Sequence, residues 1–250
     1  MRRKQLLALL LCVVMVIMLS ACSNPSGNNS ATSVSPATSS QTGISQSPTS
    51  AEGGETESQS ETETTADVNG TTSGSKVLVV YFSRTGEQYN VGVIDKGNTA
   101  IVADMVIEAT GADSFEILPQ EDYYPYTYDE LTDVAKQEQN ENARPAYKGE
   151  VPDLSQYDTI FIGAPVWWGD WPMICYTFFE NNAEALAGKT LIPFSTHEGS
   201  GLSGFDQKLS SALPNSTIGN GLAIRGSDAQ NNADSVRSMV NDWLSGLGFK

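Results

Sequence analysis

The chain has 250 residues, 39% of them hydrophobic, and carries 30 acidic against 14 basic side chains for a formal net charge of −16. That balance argues against nucleic acid as a partner and against direct docking of a folded surface on anionic lipid. A single histidine leaves no basis for a His/Cys metal site.

The N-terminus opens with the basic stretch Met1-Arg2-Arg3-Lys4, and Leu6 to Leu19 is an unbroken apolar run of 14 residues. A permanent membrane-spanning helix wants about 20 such residues. The run suits the h-region of a secretory signal peptide instead. It ends in Leu19-Ser20-Ala21-Cys22, which resembles the lipobox of bacterial lipoprotein signal peptides. That resemblance implies that Cys22 becomes the mature N-terminus, carries a lipid on its thiol, and holds an exported protein at the outer face of the cytoplasmic membrane. A cleaved secretory peptide with an incidental cysteine is the competing reading. Residues 1–22 are thus read as signal peptide and lipobox. Cys12 leaves with the signal, so Cys175 alone remains in the folded part and no internal disulfide is possible.

Residues 23–75 are Ser, Thr, Gly, Gln, Asn, Pro and Glu with almost no large apolar side chain. Such a segment cannot bury enough surface to offset chain entropy, which predicts a disordered tether. A flexible coil of that size has an r.m.s. reach of roughly 40 Å.

Lys76 to Lys250 is long enough for one domain with a full core, and its 11 basic and 24 acidic side chains give it a formal −13. Lys76 to Phe82 is a continuous β-rich apolar run, the pattern of a strand buried on both faces. Ile101, Val102, Met105, Val106 and Ala109 then make one helical face, with Asn98 or Thr99 as N-cap and Gly111 at the stop. Ser114 to Ile117 is a short strand signal. Tyr123, Tyr124, Tyr126 and Tyr128 follow in a Pro-containing loop, read as packed rather than as a ligand rim. Asp129 to Asn142 is a polar helix with Leu131, Val134 and Ala135 inward. Asp158 to Gly163 is a second buried strand. Pro172 sits in the first turn of a helix running through Phe178 and Phe179, in which Cys175 reads as a buried small hydrophobe. Thr190 to Phe194 and Leu222 to Ile224 are further strands. Val236, Val240, Trp243, Leu244 and Leu247 keep helical spacing at the end. Strands alternating with helices predict a doubly wound α/β sheet. In such sheets ligands lie beyond the carboxyl ends of the strands, where strand order reverses. Loops 83–98, 164–171 and 195–204 leave those ends.

The first of these loops, Ser83-Arg84-Thr85-Gly86, leads after an interval to Asn98-Thr99 at a helix start. Hydroxyls and backbone N–H groups there make a phosphate cradle that needs no lysine, although an isolated turn of this kind is more often an ordinary βα turn. The second carries Trp167, Trp168 and Trp171. Exposed tryptophans are costly and usually cover something flat; core packing is the alternative, and holds for at least one of the three. The third, Ser195 to Gly201, offers small residues whose backbone can approach the polar edge of a ring. His197 by itself reads as a structural histidine.

Taken in order, Tyr81-Phe82-Ser83-Arg84-Thr85-Gly86 with Asn98-Thr99, then Pro165-Val166-Trp167-Trp168-Gly169, then Phe194-Ser195-Thr196-His197-Glu198-Gly199-Ser200-Gly201 resemble the flavodoxin family. The branch most alike carries YFSRTGNT, PxWWG and THxGSG. Asn142-Ala143-Arg144-Pro145 and Leu222-Ala223-Ile224-Arg225-Gly226 extend the likeness over nearly all of 76–250. The resemblance implies a five-stranded parallel sheet of order 2-1-3-4-5 with helices on both faces, FMN as cofactor, and electron transfer as function. It implies that Ser83, Arg84, Thr85, Gly86, Asn98 and Thr99 meet the FMN phosphate. Pro165, Val166, Trp167, Trp168 and Gly169 would flank the isoalloxazine, with Trp167 or Trp168 stacked on it and Trp168 favoured. Thr196, His197, Glu198, Gly199, Ser200 and Gly201 would meet its pyrimidine edge. Apolar walls and an acidic surround disfavour a reduced anionic flavin and so lower its potential.

Two features depart from the family pattern. Residues 87–97 interrupt the phosphate loop, and Gln88 to Ile94 within them read as a small hairpin flap. Glu198 stands where a small residue is usual. Two other functions compete with the carrier: an FMN-dependent NAD(P)H:quinone-type reductase, and a flavin-free binding module on the same fold. The redox partner is a redox protein, a quinone or a nicotinamide donor, and the sequence does not choose among them.

Overall fold

In the first strand, β1 (Lys76–Tyr81), alternate side chains enter two different cores. Leu78 and Val80, with Phe82 just beyond, pack on one side of the sheet, and Val79 packs on the other. A strand buried on both faces must be covered by helices on both, which fixes the layering of the whole domain. The computed structural model describes residues 76–249; the signal peptide, Cys22 and the tether expected in 1–75 lie outside the described residues.

After β1 come a hairpin of β2 (Gly86–Gln88) and β3 (Gly92–Ile94), then α1 (Asn98–Thr110) and β4 (Asp113–Glu116). The short β5 (Leu118–Pro119) pairs with β6 (Tyr147–Lys148) across the excursion that holds α2 (Tyr128–Glu141). Next follow β7 (Tyr157–Pro165), α3 (Met173–Asn181), α4 (Ala183–Leu186) and β8 (Thr190–His197). The chain ends with α5 (Phe205–Ala212), β9 (Thr217–Ile218), β10 (Leu222–Arg225), α6 (Gly226–Asn231) and α7 (Ala233–Gly246).

The main sheet runs β4-β1-β7-β8-β10 with every pair parallel. Counting those five strands along the chain gives the expected order 2-1-3-4-5. The fifth is divided: β9 pairs with the start of β8 through Thr190 and Leu191, and β10 with its second half through Phe194 to His197. On one face Val102, Val106, Ala229, Val236 and Val240 cover the sheet, and on the other Leu131, Ile174, Phe178 and Phe205 do so.

The expected helix ends are close to those observed. Gly111 stops α1 in the left-handed conformation, its N–H donating to the Ile107 carbonyl at 2.8 Å, and Asn142 does the same for α2. The N-cap of α1 is Gly97, not Asn98 or Thr99, which are the first two helical residues. Pro172 likewise precedes α3 as its N-cap.

At the middle of the sheet Gly163 of β7 lies opposite Phe194 of β8. A Cβ at 163 would sit inside the Phe194 ring, so glycine there is a packing requirement. Gly163→Ala should destabilise the domain by about 1–3 kcal/mol through overpacking. Urea unfolding of the two proteins, read as a midpoint shift at constant slope, measures it.

Candidate functional site

Strand order reverses at β1, with β4 on one side and β7 on the other, so the connections leaving β1 and β7 pass to opposite faces of the sheet and leave a crevice between them. Its volume is about 380 Å³.

The chain leaves β1 through Phe82 and returns to start α1 within touching distance of itself. Any side chain on Gly97 would collide with Ser83 Oγ and the Arg84 carbonyl. That close approach lets Ser83 Oγ accept the Ala100 N–H at 3.0 Å and cap α1 from across the loop. The N–H groups of Asn98 and Thr99, with the positive end of the helix dipole behind them, meet no acceptor among the described residues. The Ser83 hydroxyl proton is not needed for this cap and remains a donor. Thr85, in the same loop as Ser83, is exposed. Arg84 turns the other way: it donates to Asp122 Oδ1 at 2.9 Å and to the Tyr124 and Pro125 carbonyls, and lies over the Tyr124 ring. Thr99 is also turned from solvent, its hydroxyl 2.7 Å from that of Thr196 in a buried pair.

The three tryptophans take three separate roles. Trp171 is core, stacked on Phe205 at 3.7 Å and donating to the Phe205 carbonyl. Trp167 is half-buried in the crevice, held edge-on by Phe82 at 5.3 Å and Tyr124 at 5.2 Å. Trp168 stands at the mouth, 53% exposed. Positive φ at Trp168 (+50°) and Gly169 (+74°) makes residues 167–170 a tight two-residue turn, closed by hydrogen bonds both ways between Trp167 and Asp170. The Trp168 indole N–H donates to the Thr132 carbonyl of α2 at 2.8 Å, and the Lys136 ammonium lies 5.0 Å from the ring.

In the third loop Ser195 donates to the Gly201 carbonyl, and Gly199 N–H donates to His197 Nδ1 at 2.9 Å. An accepting Nδ1 puts the proton of neutral His197 on Nε2. Burial and the neighbouring Arg225 hold the imidazole pKa below its ordinary 6.5, with Glu198 and Asp228 opposing in part. Glu198 accepts the Ser227 N–H at 2.6 Å and its hydroxyl at 3.1 Å, tying this loop to the start of α6. Asn98 Oδ1 accepts from Gln230 of the same helix, so α6 meets both the first and the third loop.

The hairpin flap forms as expected, with Gly86 opposite Ile94. It is pinned to α2: Glu87 N–H donates to the Tyr126 carbonyl, and the Glu87 carboxylate accepts the Tyr128 N–H. Asn98, Trp167, Trp168, Thr196, His197 and Glu198 all line the crevice, as do Pro165 and Val166. Gly199, Ser200 and Gly201 shape the third loop without lining it. The opposite wall was not foreseen. Tyr128, Leu131, Thr132 and Ala135 of α2 form it, joined by Gln88 and Tyr89 of the flap. Only the inward stripe of Leu131 and Ala135 hinted at it. Of the four loop tyrosines Tyr124 is packed, Tyr123 and Tyr126 are exposed, and Tyr128 reaches the crevice.

A family model described as Flavodoxin matches residues 76–243. No curated protein matches the chain. Among solved structures, a candidate flavoprotein from Bacteroides eggerthii is 30% identical with a TM-score of 0.54, covering 70% of this chain and 99% of its own. Another from Bacteroides uniformis is 31% identical with a TM-score of 0.53, covering 67% of this chain and 99% of its own.

The His197 geometry has a pH consequence. The folded state disfavours imidazolium, so the unfolded chain binds this proton at higher pH than the folded one. The stabilisation is therefore full above the ordinary histidine pKa and is lost as pH falls through the lowered value. His197→Asn should cost stability at about pH 7.5 and cost less at about pH 5. Denaturant titrations of both proteins at the two pH values give the comparison, in which the shared carboxylate titrations cancel.

Proposed function

The chain belongs to the flavodoxin family, and on that premise we propose that it binds FMN in the crevice and serves as an electron carrier held by a lipid on the outer face of the cytoplasmic membrane. The observation that supports this most is the convergence of three chemically different groups on one 380 Å³ crevice: a helix start, an aromatic wall and a loop of hydrogen-bonding groups. The proportions fit a ligand with an anionic end and a flat, polar-edged ring.

In this reading the Asn98 and Thr99 N–H groups, the Ser83 hydroxyl and Thr85 hold the phosphate. Arg84 positions the loop by clamping residues 122–125 rather than by touching the phosphate. Thr99 contributes its backbone, since its hydroxyl is committed to Thr196. Trp167 and Trp168 flank the ring from the β7 end and exclude water from it. His197 presents Nε2–H to an acceptor on the ring edge. FMN supplies one- and two-electron redox chemistry when bound. The apolar walls and the domain's surplus of acidic groups oppose added negative charge in the crevice, which favours a low potential.

Two experiments test the reading. The protein should purify yellow or become so with added FMN, and Thr85→Ala should weaken FMN by about 1.5–3 kcal/mol while affecting riboflavin less. A colourless protein that ignores FMN would mean a flavin-free module, and rapid steady turnover of NAD(P)H with quinones would mean a reductase. For the anchor, Cys22→Ser should abolish lipid labelling and shift the protein out of the membrane fraction; unchanged labelling would remove the lipoprotein assignment.

A further inference from the structure

Among the described residues Glu138, on the inner side of α2, is the one charged side chain that is buried, at 6% exposure. It has no cationic partner among the described residues. Its carboxylate instead accepts two phenols: Tyr123 on Oε1, and Tyr124 on Oε2 at 3.3 Å. Burying a carboxylate without a cation is expensive, and an apolar residue or a glutamine would satisfy packing at lower cost. Burial holds the Glu138 carboxyl pKa above its ordinary value, which makes it a better proton acceptor, and the two donated hydrogen bonds, one to each oxygen, oppose this in part.

The phenols are not isolated from the crevice. The Tyr124 ring lies 5.2 Å from Trp167, which lines the crevice, and 4.6 Å from the Tyr123 ring, which is 47% exposed at the surface. These aromatic groups form an unbroken series from the crevice to solvent. The Arg84 guanidinium lies 5.5 Å from the centre of the Tyr124 ring. A cation there penalises a positively charged oxidised phenol, so loss of an electron from Tyr124 must be accompanied by loss of its proton.

We propose that Tyr123 and Tyr124 are a redox-active pair that carries an oxidising equivalent from the crevice to the surface, with Glu138 as their shared proton acceptor and Trp167 as the link to the crevice. The oxidant is a one-electron oxidant of the photoexcited aromatic class seated in the crevice, and in that respect the proposal rests on the FMN reading. The oxidant takes one electron from Trp167, and Trp167 is restored by one electron from Tyr124. The Tyr124 O–H bond breaks, its proton passes to Glu138, and a neutral Tyr124 radical remains. Tyr123 then gives one electron to Tyr124 and its proton to the free oxygen of Glu138, while Glu138 returns a proton to Tyr124. The net result is a neutral Tyr123 radical at the surface and a protonated Glu138. One electron from an ascorbate-type enediol or thiolate in solution, with the proton handed back by Glu138, restores Tyr123.

The full-length chain can be tested without flavin, using flash-generated tris(bipyridine)ruthenium(III) as oxidant and following the tyrosyl radical by EPR and visible absorption. The radical should form on Tyr123 and move to Tyr124 in Tyr123→Phe. Glu138→Gln keeps the volume and one acceptor but cannot take the proton, so it should slow radical formation several-fold and change the solvent isotope effect. An unchanged rate in Glu138→Gln, or a radical signal indifferent to Tyr123→Phe and Tyr124→Phe, would overturn the proposal. The two phenylalanine variants keep it falsifiable if Glu138→Gln does not fold. A second arm adds FMN, blue light and a cobalt(III) ammine to remove the electron. Trp167→Phe should then suppress the radical. If FMN is bound by its spectrum and the wild-type chain gives no radical, the Trp167 link is wrong. If FMN does not bind at all, the FMN reading fails while the ruthenium arm still decides the tyrosine pair.

Discussion

A parallel sheet buried on both faces has nowhere to display polar chemistry except at the ends of its strands. In this chain Leu78, Val79 and Val80 are all fully buried, as are Ile160, Phe161 and Ile162 beside them, so the middle of the sheet is committed to packing. The chain then leaves the two central strands toward opposite faces of the sheet, α1 following β1 onto one and α3 following β7 onto the other. Everything proposed for function follows from that divergence: the helix start after β1, the tryptophan turn after β7 and the histidine loop after β8 all open on the same gap.

The three loops are not left to find their positions. Each is tied by a polar side chain to an element that the sheet already holds. The Trp168 indole N–H ties the second loop to the Thr132 carbonyl of α2; in the first, Arg84 grips the carbonyls of 124 and 125 and Glu87 caps the start of α2, and in the third Glu198 caps the start of α6. Charge-assisted bonds of this type are worth roughly twice neutral ones. The crevice therefore exists as a formed cavity with its walls already in place, which lowers the ordering cost of any ligand. The same ties explain why Arg84 and Glu198, despite sitting inside the motifs expected to meet a ligand, spend their side chains on the protein.

Sequence periodicity revealed the core readily, because a buried strand or helix face leaves a repeating apolar signal. The β1 run, the α1 face ending at Gly111 and the α7 stripe at Val236, Val240 and Leu244 all carry it, and the family motifs located the three loops. What periodicity misses is anything decided by a distant partner. The α2 wall of the crevice depends on a flap 40 residues away in the chain docking through Glu87. The cap of α1 comes from Ser83 across a loop, so local rules pointed to Asn98 or Thr99 instead of Gly97. The short α5 and α6 have too few turns to show a period. Glu138 reads as one more surface acid in a polar helix until the two tyrosines are seen to close over it.

Trp168 shows how the site and the fold divide their claims on one residue. A bulky side chain at φ +50° is held in a region that costs of the order of 1–3 kcal/mol, and asparagine or glycine would occupy the same turn with less strain. Its indole hydrogen bond to Thr132 and its contact with Lys136 return about 1–2 kcal/mol between them, on a ring that remains more than half exposed. Stability alone gives little reason to keep tryptophan there. Trp171, three residues on, is the opposite case, since its ring is wholly enclosed against Phe205. The neighbouring Trp167 is intermediate, fixed edge-on by Phe82 and Tyr124 with its remaining surface on the crevice. A strained, exposed aromatic beside a fixed, half-exposed one is an arrangement the core does not need. Under the FMN reading it has a use: Trp167 sets the depth of the ring, while Trp168, bridged to α2, closes the mouth across the opposite wall.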